Sequence, residues 1–147
     1  MAMEWKDSYA CHIPEIDQQH QRLFEIGNQL YTLALLQDDG KSIEKVQAIL
    51  SELQAYTIYH FQFEEALQAR YHYPSLEMHH EEHQSFINTL SEMEIKAIQE
   101  DSKDLVLKLI MFVSEWISNH IMISDKKYSK HIHDQMKLDE DVEGTVK

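Results

Sequence analysis

The stretch SLEMHHEEHQSF (residues 75–86) sets three histidines, His79, His80 and His83, between Pro74 and an apolar run that continues to Ala97. Steps of three and four place Leu76, His79, His83, Phe86, Ile87, Leu90, Met93 and Ala97 on one stripe, because residues so spaced lie over one another on a helix face. His80 is turned about 100° away by the same geometry and looks outward. Two imidazoles therefore share the face that has to be buried. What they do there depends on what else shares that interior.

The same period recurs on both sides of this segment. Upstream, Val46, Ile49, Leu50, Leu53, Tyr56, Thr57, His60, Phe61, Glu64 and Leu67 form one stripe, which RYHYPS (residues 70–75) breaks, with Ser75 as the expected cap of the next helix. Before it, His20, Leu23, Phe24, Gly27, Leu30, Tyr31 and Ala34 form another, capped by Asp17 and stopped at Gly40, with Ser42 restarting the chain. Downstream of QEDSKD (residues 99–104) a fourth runs through Leu105, Leu109, Phe112, Val113, Trp116, Ile117 and His120. Four helices with short connections predict an all-α, up-down-up-down antiparallel four-helix bundle. The expected division of one domain, residues 1–147, is an N-terminal arm over 1–17, the bundle over 18–130, and a fraying acidic tail over 131–147.

Composition agrees and excludes several functions. Three Gly and two Pro in 147 residues favour helices over a turn-rich sheet protein. Twenty-six acidic residues against thirteen basic ones give a formal charge of −13, which repels nucleic acid and anionic lipid headgroups. Cys11 is the single cysteine and has no internal partner, and the N-terminus lacks a basic and apolar leader. No segment is expected to approach the roughly 20 apolar residues of a membrane span. The expected location is the cytoplasm, with no membrane insertion.

Every stripe contains a histidine, and two contain a second donor four residues on: His60 with Glu64, and His79 with His83. Any one of these could be a packed or exposed side chain. Together they place His20, His60, Glu64, His79, His83 and His120 in one core, where each unsatisfied polar group is costly. A bound metal satisfies them all. His12, His72, His131 and His133 lie off the stripes and read as surface or loop residues.

Five imidazoles with carboxylates exceed a tetrahedral zinc site, and thiolates are lacking. HExxH is absent, since His80 is followed at i+4 by Gln84. Calcium and magnesium prefer oxygen, whereas imidazole with carboxylate suits iron. The ferritin-like pattern needs Glu-x-x-His on two helices, and only Glu77–His80 matches it.

EIDQQHQRLF around His20, HFQFEEAL from His60, YPSLEMHHEEH ending in His83, and WISNHIMISDKKY around His120 resemble the hemerythrins, most closely single-domain bacteriohemerythrins, over residues 5–128. The resemblance implies two iron ions, cycling between Fe2+ and Fe3+, joined by an oxo or hydroxo group. His20 and His60 would hold one, and His79, His83 and His120 the other. Glu64 and Asp125 would be the bridging carboxylates. Asp125 enters only through the resemblance; it lies five residues after His120, which overshoots a helical turn, so the backbone must loosen there. The implied activity is reversible dioxygen binding as carrier, store or local supplier, not an enzyme, with an oxygen-consuming enzyme as a candidate recipient. Oxygen or redox sensing, and enzymatic handling of peroxide or nitric oxide, are the alternatives. Such binding needs a dry apolar pocket, for which Leu23, Phe61, Trp116, Ile117 and Ile123 are the expected walls. One departure from relatives is SYACHIPEID (residues 8–17), which has Cys11 and His12 in a loop that commonly carries glycine.

Overall fold

A computed structural model describes residues 3–35 and 42–146. Helix α1 spans Pro14–Leu35, α2 Ser42–Arg70, α3 Leu76–Glu100, α4 Lys103–His120 and α5 Lys126–Val146; a π-helical turn, Ile121–Asp125, joins the last two. Helix α1 packs on α2 and α4, and α3 on α2 and α4, which closes the antiparallel four-helix ring expected from the stripes. Gly40 and the side chains of Ala34 and Ser42 lie outside the described residues.

Local chemistry sets the helix ends. Helix α1 begins at Pro14, not after Asp17, because proline's fixed φ and missing N–H suit the first helical position. Asp17 instead reaches back: its carboxylate accepts the N–H groups of Cys11 (2.7 Å) and His12 (3.0 Å). This pins a loop in which His12 takes a left-handed φ of 60°. Helix α2 ends in a turn with His72 at φ 56°, and Tyr73 N–H bonds the Gln68 carbonyl. Ser75 occupies the cap position of α3, yet its side chain accepts no capping bond. At the next junction Asp101 is left-handed (φ 48°), and Ser102 Oγ accepts the Leu105 N–H that starts α4.

The expected tail is not a tail. Helix α5 continues through 131–146, with Tyr128 and Ile132 fully buried. His131 and His133 are half-buried on it, not free surface residues; they donate to the carbonyls of Tyr71 (2.8 Å) and Cys11 (2.9 Å). Apolar residues are sparse in this segment, and Tyr128, Ile132 and two ring N–H groups hold the described part of the helix. The continuous segment Lys103–Asp139 also corrects an expectation: it contains an 18-residue window of mean hydropathy 1.3, long and apolar enough by composition to cross a membrane. Its inward face carries Leu109, Val113, Ile117, His120 and Asp125, all buried in the bundle.

The core falls into two apolar clusters. The larger includes Leu23, Phe24, Leu30, Leu53, Phe61, Phe86, Leu90, Val113, Ile117 and Ile121. The smaller joins Cys11, Ile13, Ile16, Tyr128 and Ile132. On each helix the polar inward residues fall between the two clusters: His20 between Ile16 and Leu23, Glu64 between Phe61 and Leu67, His79 and His83 between Tyr73 and Phe86, and His120 and Asp125 between Ile117 and Tyr128. A polar layer thus crosses the bundle.

Candidate metal centre

The seven expected ligand residues converge in that layer. Each is buried, with His20, His83 and Glu64 at 0 % exposure. Two groups of donor atoms form, His20, His60, Glu64 and Asp125 in one and Glu64, His79, His83, His120 and Asp125 in the other, so the two carboxylates belong to both. Glu64 Oε1 faces His60 and His20 (3.3 Å), while its Oε2 faces His79 (3.2 Å) and His83 (3.9 Å). Asp125 Oδ2 faces His20 (3.0 Å), and its Oδ1 faces His79 (3.2 Å) and His120 (3.1 Å).

Hydrogen bonding alone does not account for this arrangement. The Nε2 atom of His120 lies 3.1 Å from that of His83 and 3.2 Å from that of His79, and one ring nitrogen cannot serve both. Cis ligands each about 2.1 Å from a metal stand about 3 Å apart, which is the observed spacing. Asp125 Oδ1 has no well-aligned donor despite its close nitrogens. The donor set fits a pair of metal ions.

Electrostatics in the metal-free site follow from these contacts. Burial opposes the charged form of His79, but hydrogen bonds to Asp125 and Glu64 outweigh it and raise the ring to about 10. His20 is likewise raised against burial, by Asp125, Cys11 and Glu64. His83 is lowered to about 4 by burial and by coulombic repulsion from the His79 and His120 rings. Glu64 and Asp125 resist the upward push of burial and stay well below the usual carboxylate range, held by surrounding imidazoles.

A family model, the hemerythrin HHE cation-binding domain, matches residues 11–132. The chain belongs to the hemerythrin family. It is 36% identical to a bacteriohemerythrin of Clostridium acetobutylicum over 124 residues, 84% of this chain and 96% of that one. It is 30% identical to a bacteriohemerythrin of Pseudomonas aeruginosa over 132 residues, 90% and 82% of the two chains. A hemerythrin-like protein of Naegleria gruberi is 28% identical over 124 residues, 84% and 88%.

Around this hemerythrin centre the outward ring nitrogens find partners that residue spacing did not reveal. His60 Nδ1 donates to Gln19 Oε1 (2.7 Å) and His83 Nδ1 to Glu65 Oε2 (3.1 Å), and His120 Nδ1 lies 3.1 Å from Glu82 Oε2. Gln19, Glu65 and Glu82 each precede or follow a ligand directly in the sequence, and that adjacency was the only available signal. Phe61 stacks on His83 (3.6 Å between centroids) and Trp116 on His120 (4.3 Å), which fixes both rings. His80 is exposed and hydrogen-bonds Glu65.

A small cavity with room for one water-sized molecule borders the two-histidine side. Leu23, Thr57, Phe61, Trp116, Ile117 and Ile121 wall it, with His20, His60, His120 and Asp125. Ile123 is not among them: it is 58 % exposed, and the π-helical turn carries Ile121 inward in its place.

Proposed function

We propose that the chain binds dioxygen reversibly at two iron ions in the cytoplasm, as a carrier, store or local supplier. The sharing of Glu64 and Asp125 between a two-histidine and a three-histidine group carries this reading. His20 and His60 would hold one ion, and His79, His83 and His120 the other. The ion pair, with its oxo or hydroxo bridge, would supply two electrons to dioxygen and recover them on release.

The remaining work belongs to the chain. Two imidazoles against three leave one side a donor short, and the apolar cavity borders that side. Leu23, Phe61, Trp116 and Ile117 exclude water there. Thr57 supplies the one hydroxyl of the wall, and its proton is already given to the Leu53 carbonyl (2.5 Å). Beyond the ligands themselves, the one other side-chain N–H among the described residues lining the cavity is the Trp116 indole, too weak an acid to give its proton up, so the oxygen leaves as it came. That favours carriage over turnover of peroxide or nitric oxide.

The test is a cycle. Anaerobic ferrous protein, titrated with dioxygen and returned to anaerobiosis, should change its visible spectrum and recover it. Irreversible oxidation at first exposure, with iron retained, would overturn reversible binding.

A further inference from the structure

His20 differs from the other ligands whose outward nitrogens were described above. Its Nε2 faces Asp125 and Glu64, on the metal side. A neutral ring that gives Nε2 to a metal carries its proton on Nδ1 and must donate it. That Nδ1 is buried and makes no hydrogen bond in the structure. The 9–17 loop lies against this ring: Cys11 Sγ, an Asp17 oxygen and a His20 ring nitrogen all fall within 4.8 Å of one another.

We infer that Cys11 is a positioning residue for the two-histidine metal position: its sulfur accepts the Nδ1–H of His20 and fixes which ring nitrogen faces the ion. This rests on the di-iron reading above. Both oxygens of Asp17 are taken by the N–H groups of Cys11 and His12. Asp17 therefore holds the loop, and the loop holds Cys11. The thiol proton points to the Tyr9 carbonyl (3.9 Å), which leaves the sulfur lone pairs free to accept. Cys11 is itself buried, 3 % exposed, so water does not compete for the site.

The consequence is an asymmetry between the two ions. Glu65 is a carboxylate acceptor for His83, and the Glu82 carboxylate lies against His120. Gln19 and Cys11 are an amide and a thiol, serving His60 and His20. A carboxylate draws the ring proton and strengthens the opposite nitrogen as a donor, and neutral acceptors do so less. The ion beside the cavity is thus the more weakly held.

The test uses the full chain loaded with ferrous iron, comparing Cys11→Ala with Cys11→Ser. Chelator competition gives a Kd for each iron, and the hyperfine-shifted exchangeable His N–H resonances give a spectroscopic readout. Cys11→Ala should weaken one iron about tenfold or more and leave the other unchanged, in keeping with the loss of an outer partner of a ligand. It should also displace one N–H resonance. Cys11→Ser, which restores an acceptor, should stay near the parent value. A merely packing role reverses this order, because alanine preserves the apolar contact with Ile13, Ile16 and Ile132 while serine places a hydroxyl there. If Cys11→Ala lacks the helical circular dichroism of the parent, Cys11→Val against Cys11→Thr reads the same contrast. Equal iron affinity for alanine and parent, or for serine and alanine below the parent, overturns the inference alone. A parent chain that holds no iron overturns it together with the proposed function.

Discussion

His120 Nε2 and Asp125 Oδ1 lie 3.1 Å apart although five residues separate them. In an unbroken α-helix that interval rotates the second residue about 140° away from the first. The π-helical turn Ile121–Asp125 absorbs the difference. Inserting one alanine after Met122, which is exposed within that turn, should place Asp125 six residues after His120, about 120° round the helix, and swing it out of the layer. Iron content is then expected to fall from about two per chain to one or fewer, by elemental analysis, as befits the loss of a shared ligand.

His79 and His83 are buried while His80 is half-exposed, so three neighbouring alanine substitutions should separate. His79→Ala or His83→Ala should lose iron from the three-histidine side. His80→Ala touches the centre only through Glu65 and should keep its iron. Loss of metal in His80→Ala with retention in His79→Ala would contradict the structure.

Metal loading should release protons. The ring of His79 is raised to about 10 and so is protonated at pH 7 in the metal-free protein, and that of His20 is shifted in the same direction. A ligating imidazole must give up that proton. His83, lowered to about 4, has none to lose at that pH. Apparent affinity should therefore rise with pH from 7 towards 10, and calorimetry in buffers of different ionisation enthalpy should detect proton release from histidine at pH 7. Loading without proton release would refute the charge pattern.

Leu23 walls the cavity and Ile123 does not. Leu23→Asn, which brings an amide and water beside the oxygen, should shorten the lifetime of the oxygenated form by about tenfold or more. Ile123→Gln, out in solvent, should leave it unchanged. Equal lifetimes for Leu23→Asn and the parent, with iron intact, would move the protection elsewhere.

Ile132 is fully buried in a segment whose composition suggested fraying. Ile132→Ala should cost about 2–5 kcal/mol in urea unfolding of the metal-free protein, the usual range for such a core truncation. A frayed tail would show almost none of it.

The contrast between Ile121 and Ile123 marks where the sequence stopped being readable. Periodicity needs only local geometry, and it was enough to place His20, His60, Glu64, His79, His83 and His120 inward and His80 outward. It assumes one phase, and a π-helical turn changes the phase without leaving a compositional trace. That is why Asp125 came from resemblance and Ile123 was placed on the wrong side. The outer partners Gln19, Glu65, Glu82 and Cys11 answer to pairings between elements, which spacing along a single helix does not encode. The start of α1 answers to Pro14 at the first helical position, a signal that competes in this segment with the acidic cap Asp17.

The hydrogen bond from His133 to the Cys11 carbonyl spans 122 positions of the chain. At about 5–20 residues per second, translation needs roughly 6–24 s to make the later residue after the earlier one. Throughout that interval His20 exists without the α5 contact that clasps its loop, and without Asp125 for most of it. The centre is therefore incomplete until the ribosome has made α5: a nascent chain displays His20 before Asp125 and the clasp on its loop exist.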